Sequence, residues 1–330
     1  MTGVSQATVS LVLNGRAETD VRIAPETRER VLRAIQETGY VADPIARRLA
    51  ARHNRILGVF TYEPVFPTAN SDFYHPFLVG IEERAESLGC DLLLLTSAPV
   101  VDGRRRIFHR DNRIRLADGC VLLGRSLDRE ELTRLVGEGL PFVSVGRRDV
   151  AGGPMSYVGA DYAAAVSALV ERAAQAGHTR IAYAGEGSGP ESHADRRRGF
   201  LRAATHAGVA AGHESFGARA PGEVLDALRA AGVTAVFVEE YADAVALVLA
   251  AAERGVDIPG DLSVVTLGDP TRPASHIDLE FTGFRIPRGD MGSQAVDVLM
   301  ALLEGAETDR QRLLPCELVD GATLAPPPRR

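Results

Sequence analysis

The stretch NSDFYHPFLVG sets a carboxylate and two aromatic rings, Asp72, Phe73 and Tyr74, between a buried apolar run and an amphipathic one. Aromatic faces stack on sugar rings or bases, and a carboxylate accepts hydroxyl protons, so the trio could hold a polar small molecule. Packing of Phe73 within its own loop is the plain alternative. Other chemistry is thinly marked. Three cysteines, Cys90, Cys120 and Cys316, stand far apart with no metal-type spacing near the eight histidines, and read as buried free thiols. GEGSG after IAYA is a short glycine-rich loop, and no Walker-type loop, dinucleotide fingerprint or nucleophile motif accompanies it. Neither a metal, nor a cofactor, nor catalysis is expected.

The elements that must position such residues show in the hydropathy pattern. From Ile56 onward, RILGVF, HPFLVGIEERAESLG and CDLLLLT alternate as strand, helix and strand of a parallel sheet. GCVLLG, PFVSVG and SYVGAD continue as buried strands separated by helical stretches. A helix over YAAAVSALVERAAQAG ends at Gly177, and a second strand series follows in TRIAYAG, TAVFVEE, LSVVTLG and EFTGFRI. Two successive sheets of this kind predict two similar subdomains, with a ligand cleft where their strand ends face each other. The tail APPPRR reads as frayed, since repeated proline neither continues a helix nor donates to a sheet.

The front differs. GVSQATVSLVLN reads as a turn and one amphipathic helix with Val9, Val12 and Leu13 on one face, and a lone helix cannot bury such a face. GYVADPIARRLAARHNR is a short basic helix-prone linker, with Asp43 fit to cap it and Pro44 suited to its first turn. The whole chain of 330 residues carries a net charge of -7, which disfavours indiscriminate adhesion to nucleic acid. Yet the charge is segregated: residues 1–55 carry nine Arg against six acidic residues, a local +3. Every basic side chain is Arg, which we read mainly as a coding bias. No apolar run is long enough to span a membrane and no export signal is visible, so a cytoplasmic protein is expected.

GVSQATVSLVLNG, APETRERVLRAIQETGYVADPIARRLA and RILGVF resemble the headpiece, hinge helix and first strand of the lactose-repressor (LacI/GalR) family of bacterial transcription regulators. ADGCVLLG, GHTRIAYAG, RRRGFLRAA, DIPGDLSVVTLGD and LLPCELVDGATLAP extend the resemblance over nearly the whole chain. It implies an α/β fold in which a small all-α headpiece precedes two doubly wound parallel-sheet subdomains of periplasmic-binding-protein type. The headpiece and hinge would cover residues 1–55, the hinge lying at about 43–52. The effector-binding and dimerisation domain would cover residues 56–330, with an N-subdomain of about 56–158 and 286–316 and a C-subdomain of about 159–285 and 317–330. The resemblance also implies a first headpiece helix upstream of the numbered start, with Thr2 and Gly3 the remnant of the turn and a longer true reading frame.

By the same resemblance, the recognition helix would set Ser5, Gln6, Ala7 and Thr8 at the major-groove edge, with Ser10 and Asn14 near the backbone. Gln6 could pair bidentately with adenine, and Leu11 either touches a thymine methyl or packs inward. Leu49 would wedge into a minor-groove base step with Ala46 nearby, while Arg47, Arg48 and Arg52 meet phosphates. Two departures stand out: the loop GRAETDVRIAPE is longer than usual, and VEEYADA replaces an Asn-Asp pair.

For the effector, the resemblance points to Asp72, Phe73, Tyr74, Arg196, Phe216, Glu239 and Asp269, with Glu240 beside Glu239 as a further hydroxyl acceptor. Asp161, at the crossing between subdomains, would either touch ligand or carry an interdomain signal. The reading is a ligand-responsive repressor of sugar-related genes that binds a near-palindromic operator as a homodimer. Its partners would be double-stranded operator DNA and a sugar or sugar derivative, with no membrane. The alternative is a cytoplasmic sugar-binding protein with a non-functional headpiece.

Overall fold

The computed structural model describes residues 3–5, 8–9, 12, 23–38, 54–63, 68–110, 113–125, 128–149, 154–269 and 279–328. The chain divides between Asn54 and Arg55 into two compact units. In the first, Ser5 caps a helical start: the Thr8 N–H donates to Ser5 Oγ at 3.2 Å and the Val9 N–H to the Ser5 carbonyl at 3.2 Å. Val12 is helical and buried. Helix α1 (Pro25–Thr38) opens on proline, whose missing N–H costs nothing at a first helical position, and it buries Val31 while leaving Leu32 exposed. Gln6, Ala7, Ser10, Leu11, Asn14, Ala46, Arg47 and Leu49 lie outside the described residues.

The second unit holds two parallel sheets. Strands β1 (Ile56–Thr61) and β2 (Asp91–Leu95) flank helix α2 (Thr68–Ser87), and a small hairpin follows, β3 (Val100–Val101) with β4 (Arg104–Arg105). Then come β5 (Gly119–Leu123), α3 (Arg129–Glu138), β6 (Phe142–Val145) and β7 (Tyr157–Ala160). Helix α4 (Tyr162–Gln175) leads to the second sheet, built from β8 (Arg180–Ala184), α5 (Glu191–Ala207), β9 (Ala210–Glu214), α6 (Pro221–Ala230), β10 (Ala235–Val238), α7 (Tyr241–Glu253) and β11 (Ser263–Thr266). The chain returns through β12 (Gly283–Arg285) and α8 (Arg288–Glu304) to β13 (Gln311–Leu314), and ends with β14 (Glu317–Val319). The sheet orders are β13-β7-β6-β5-β1-β2 and β11-β10-β8-β9.

Both sheets are covered on two faces, which explains their nearly unbroken apolar strands. In β1 and β5, Leu57, Val59 and Val121 pack under α2 and α8, while Phe60, Cys120 and Leu122 pack with Leu132 and Leu135 of α3. In the second sheet, Val236 and Val238 meet α6 and α7, and Ala235 and Phe237 meet α4 and α5. Two glycines let helices touch backbone to backbone. A Cβ on Gly80 of α2 would sit 2.0 Å from the Gly289 carbonyl of α8, and one on Gly199 of α5 would sit 2.5 Å from the Ala163 carbonyl of α4.

Several sequence expectations are corrected, among them the frayed tail: the Ala325 N–H donates to Ser263 Oγ at 3.1 Å and its carbonyl accepts from His178 Nε2 at 2.8 Å. The segment carrying Asp72, Phe73 and Tyr74 is the early part of α2, not a loop before it, despite Pro76 inside the helix. EFTGFRI does not extend the second sheet: Gly283–Arg285 pairs antiparallel with Glu317–Val319 in a separate two-stranded sheet. The fourth strand of the second sheet is instead Ala210–Glu214, an exposed edge whose small and polar residues carry no strand pattern. Among the described residues no helix separates β6 from β7.

Candidate functional site

Residues that follow strands in both sheets converge on one cavity of about 410 Å³. The first lobe supplies Gly124 and Arg125 after β5, Gly146, Arg147 and Arg148 after β6, Phe73, Tyr74 and Phe77 from α2, and Arg288 and Met291 from the start of α8. The second lobe supplies Tyr162 at the head of α4, His193, Asp195 and Arg196 from the first turns of α5, Glu239 and Glu240 after β10, and Gly268 and Asp269 after β11. This is the carboxyl-end placement expected of ligand sites in open parallel sheets.

The aromatic side chains of the wall pack on one another. Phe73 stands edge-on to Tyr74 at 5.0 Å and tilted against Phe77 at 5.7 Å. The Tyr74 hydroxyl donates to Glu63, which also accepts the Arg125 N–H at 3.3 Å. Burial and the Glu63 carboxylate both push the Tyr74 phenol up, so it stays a donor. Arg125 lies over the Phe73 ring at 4.5 Å, and Arg196 over the Tyr162 ring at 4.0 Å.

Ion pairs join the lobes across this cavity. Arg147 grips Asp195 with both arms, Nε to Oδ2 at 2.8 Å and Nη2 to Oδ1 at 2.9 Å. Burial works against the Arg147 charge, but the hydrogen bonds to Asp195 and Asp149 outweigh it and raise its pKa. Arg148 contacts Glu191 at 3.3 Å and donates to the Gly124 carbonyl at 2.5 Å. Here burial wins and the Arg148 pKa falls despite Glu191. Arg288 meets Asp269 at 2.6 and 2.8 Å, and the Ile286 N–H adds a bond to the same carboxylate at 3.2 Å. Glu239 accepts from the Tyr183 hydroxyl and from the N–H groups of Glu186 at 2.8 Å and Gly187 at 3.2 Å. His193 lies 3.4 Å from Glu239 and 3.3 Å from Glu240, and its hydrogen bond holds the Glu240 carboxyl below the usual range.

Of the residues singled out in the sequence for effector contact, Phe73, Tyr74, Arg196, Glu239, Glu240 and Asp269 come together here. Two do not line this cavity. Phe216 is buried in the second lobe's core with Val224, Leu225 and Val238, because the β9–α6 connection turns its ring inward. Asp161 caps α4, its carboxylate accepting the Ala164 N–H at 3.0 Å. The side chain of Asp72 lies outside the described residues. Ser5 serves its own helix start, and its Oγ lies 3.0 Å from Thr8 Oγ1. The cavity residues Arg125, Arg147, Arg148, Tyr162, His193, Asp195 and Arg288 were not singled out from the sequence. Arg147 and Arg148 were findable, as they directly follow the buried strand PFVSVG. Among the described residues no cluster of His, Cys, Asp and Glu could hold a metal ion, and no helix is long and apolar enough to cross a membrane.

Comparison with known proteins places this architecture. Residues 1–43 match the profile of bacterial regulatory proteins, lacI family. Residues 64–218 match that of periplasmic binding proteins and the sugar binding domain of the LacI family, and residues 170–324 that of a periplasmic binding protein-like domain. The HTH-type transcriptional regulator CelR of Thermobifida fusca is 30% identical over 330 residues, covering 95% of this chain and 93% of its own. Catabolite control protein A of Priestia megaterium is 26% identical over 317 residues, covering 93% and 91%. A solved complex of the transcriptional regulator CelR with cellobiose superposes with a TM-score of 0.66 at 26% identity, covering 98% of this chain and 97% of that one. The lac repressor dimer bound to operator shares the fold, with a TM-score of 0.71 at 23% identity over 98% and 96% of the two chains. The chain therefore belongs to the LacI family of bacterial transcriptional regulators.

Proposed function

We propose that this regulator is a repressor that binds a near-palindromic operator as a homodimer in the cytoplasm and is controlled by a sugar or sugar derivative in the cavity. The observation that carries the reading is the cavity itself. It holds about 410 Å³, is walled by both lobes, and combines a fixed aromatic cluster with arginines and carboxylates. Aromatic rings suit the apolar faces of a pyranose, and charged forks suit its hydroxyls. The similar CelR was solved with cellobiose, a ligand of this class.

Control follows as a population shift. A ligand that touches both lobes stabilises the lobe arrangement in which its contacts are best, and a headpiece joined to the first lobe's leading strand changes its fitness for DNA accordingly. On this reading residues 56–158 and 286–316 act as one lobe and 159–285 and 317–330 as the other. Leu49 in the hinge is assigned the minor-groove wedge and Gln6 the base contact.

The test is a thermal-shift screen of mono- and disaccharides on the full chain, followed by operator titrations with any hit. Leu49→Ala is expected to weaken operator binding with unchanged effector affinity, and Phe73→Ala to weaken the effector. A sugar that alters operator affinity equally in the parent and in Phe73→Ala refutes the cavity as its site.

A further inference from the structure

The ion pairs that cross between the lobes differ in what each partner keeps when the lobes part. Arg288 and Asp269 meet beside the connecting chain, where Asp269 also accepts the Ile286 N–H just after β12. In the pair of Arg147 with Asp195, each side chain has a second partner in its own lobe: Arg147 also reaches Asp149, and Asp195 also meets Arg198. Glu191 has no such second partner. It opens α5 directly after Pro190, and among the described residues its carboxylate bonds to no group of its own lobe. Its partners all belong to the first lobe: Arg148 Nη1 at 3.3 Å, the Asp149 N–H at 3.3 Å and Arg129 Nη2 at 3.5 Å.

Arg148 is the matching half. Two carbonyls of its own lobe, those of Arg147 at 2.9 Å and Gly124 at 2.5 Å, fix its guanidinium, and its Nε is buried without an acceptor. Among the described residues Glu191 is the carboxylate it meets, and the two side chains are 10% and 7% exposed. Arg129 is 68% exposed, so its share is screened and small. A buried cation deprived of its carboxylate penalises only the arrangement that buries it, because parted lobes let water reach it. Replacing both charges by apolar side chains removes that penalty. Glu191 itself does not line the cavity, so its influence reaches an effector only through the arrangement of the lobes.

We propose that Glu191 is the positioning residue on which closure of the two lobes depends, acting through the buried cation of Arg148. The inference rests on the population-shift reading above and names the contact within the chain that sets the starting populations. A fraction of the protein is then closed before any sugar arrives, and apparent effector affinity scales with that fraction.

Helices α3 and α5 meet at their N-terminal ends through Arg129 and Glu191, so their separation reports closure. The experiment is double electron–electron resonance on the full chain with no sugar added, with spin labels at Gly137→Cys of α3 and Arg202→Cys of α5 in a Cys316→Ser background, diluted with unlabelled chain. A Cβ at Gly137 meets nothing within 4 Å, and Arg202 is exposed. The labelled parent should show one main distance. Glu191→Gln should raise the population at longer distance relative to the closed one at least about 10-fold, and the pair Glu191→Met with Arg148→Met should return it towards the parent. Asp195→Asn should move it by less than Glu191→Gln. The double variant also guards against misfolding, since its thermal midpoint and its distance are read on the same sample. A distribution unchanged by Glu191→Gln overturns the proposal, and so does a shift that the double variant fails to reverse. Repeating the measurement with a sugar identified in the thermal-shift screen separates the two readings. A distance moved by the sugar but not by Glu191→Gln refutes the role of Glu191 and keeps lobe movement, whereas a distance moved by neither refutes both.

Discussion

Arg147→Met tests whether the lobes are held by their ion pairs. The Arg147 and Asp195 side chains are 16% and 6% exposed and bond through two parallel contacts at 2.8 and 2.9 Å, so removing the cation strands a buried carboxylate. Breaking such a buried pair from one side costs about 3–5 kcal/mol. Arg198 still reaches Asp195, but it is 61% exposed and screened, so it recovers only part of that cost. The expected loss is therefore about 2–3 kcal/mol, or a fall of roughly 4–10 °C in the thermal midpoint for a body of this size. Scanning calorimetry of the parent, Arg147→Met, Asp195→Leu and the double variant supplies the cycle. The double variant should regain at least half of the single loss, because no unpaired charge remains buried. A loss below about 0.5 kcal/mol for Arg147→Met, or strictly additive losses, refutes the pairing as a structural bond between lobes.

His178 gives a pH dependence. It is buried, its Nε2 donates to the Ala325 carbonyl at 2.8 Å, its Nδ1 meets Thr234 Oγ1 at 2.8 Å, and burial lowers its pKa from the usual 6.5. The unfolded chain then binds the proton more readily, so stability is full above about pH 6.5 and falls as the pH drops towards the folded pKa. Denaturant midpoints of the parent should decline over that window, and His178→Asn should flatten the decline. Gly199→Ala drives a methyl to 2.5 Å from the Ala163 carbonyl and should cost about 1–3 kcal/mol in denaturant melts, with Ser167, which donates to the Gly199 carbonyl at 3.2 Å, disturbed as well. Asp269→Ala leaves Arg288 buried without its carboxylate. It should lower the thermal midpoint as well as effector affinity, and an unchanged midpoint contradicts the ion pair.

Much of the fold was readable because buried parallel strands such as GCVLLG and TAVFVEE are apolar at nearly every position, and two of the helices that follow strands open on an aspartate cap. Asp128 before α3 is one, accepting the N–H groups of Glu130 and Glu131. The unread parts lacked such signals. Ala210–Glu214 lies exposed at a sheet edge, where nothing selects apolar residues, and the β12–β14 pair joins segments over thirty residues apart along the chain. At the site, a resemblance located Arg196 and Asp269 but could not tell a ligand contact from an internal pair. Asp269 spends its carboxylate on Arg288, a partner 19 positions away that no motif marks. Asp161 stands directly before an apolar helical run, which is as much a cap signature as a ligand signature, and the cap is what it forms. Phe216 was placed by a poorly marked stretch, and its apolar ring went to the core.

Under the proposed mechanism the cavity and the DNA-binding headpiece are energetically coupled, and thermodynamic reciprocity tests that coupling. Operator affinity is measured by fluorescence anisotropy with and without saturating effector, and effector affinity by calorimetry with and without saturating operator. Linkage requires the two ratios to be equal. The expected common ratio lies well away from one, typically about 5- to 150-fold, and collapses in Arg196→Gln at the same effector concentration. An effector that binds in the cavity with both ratios equal to one contradicts it.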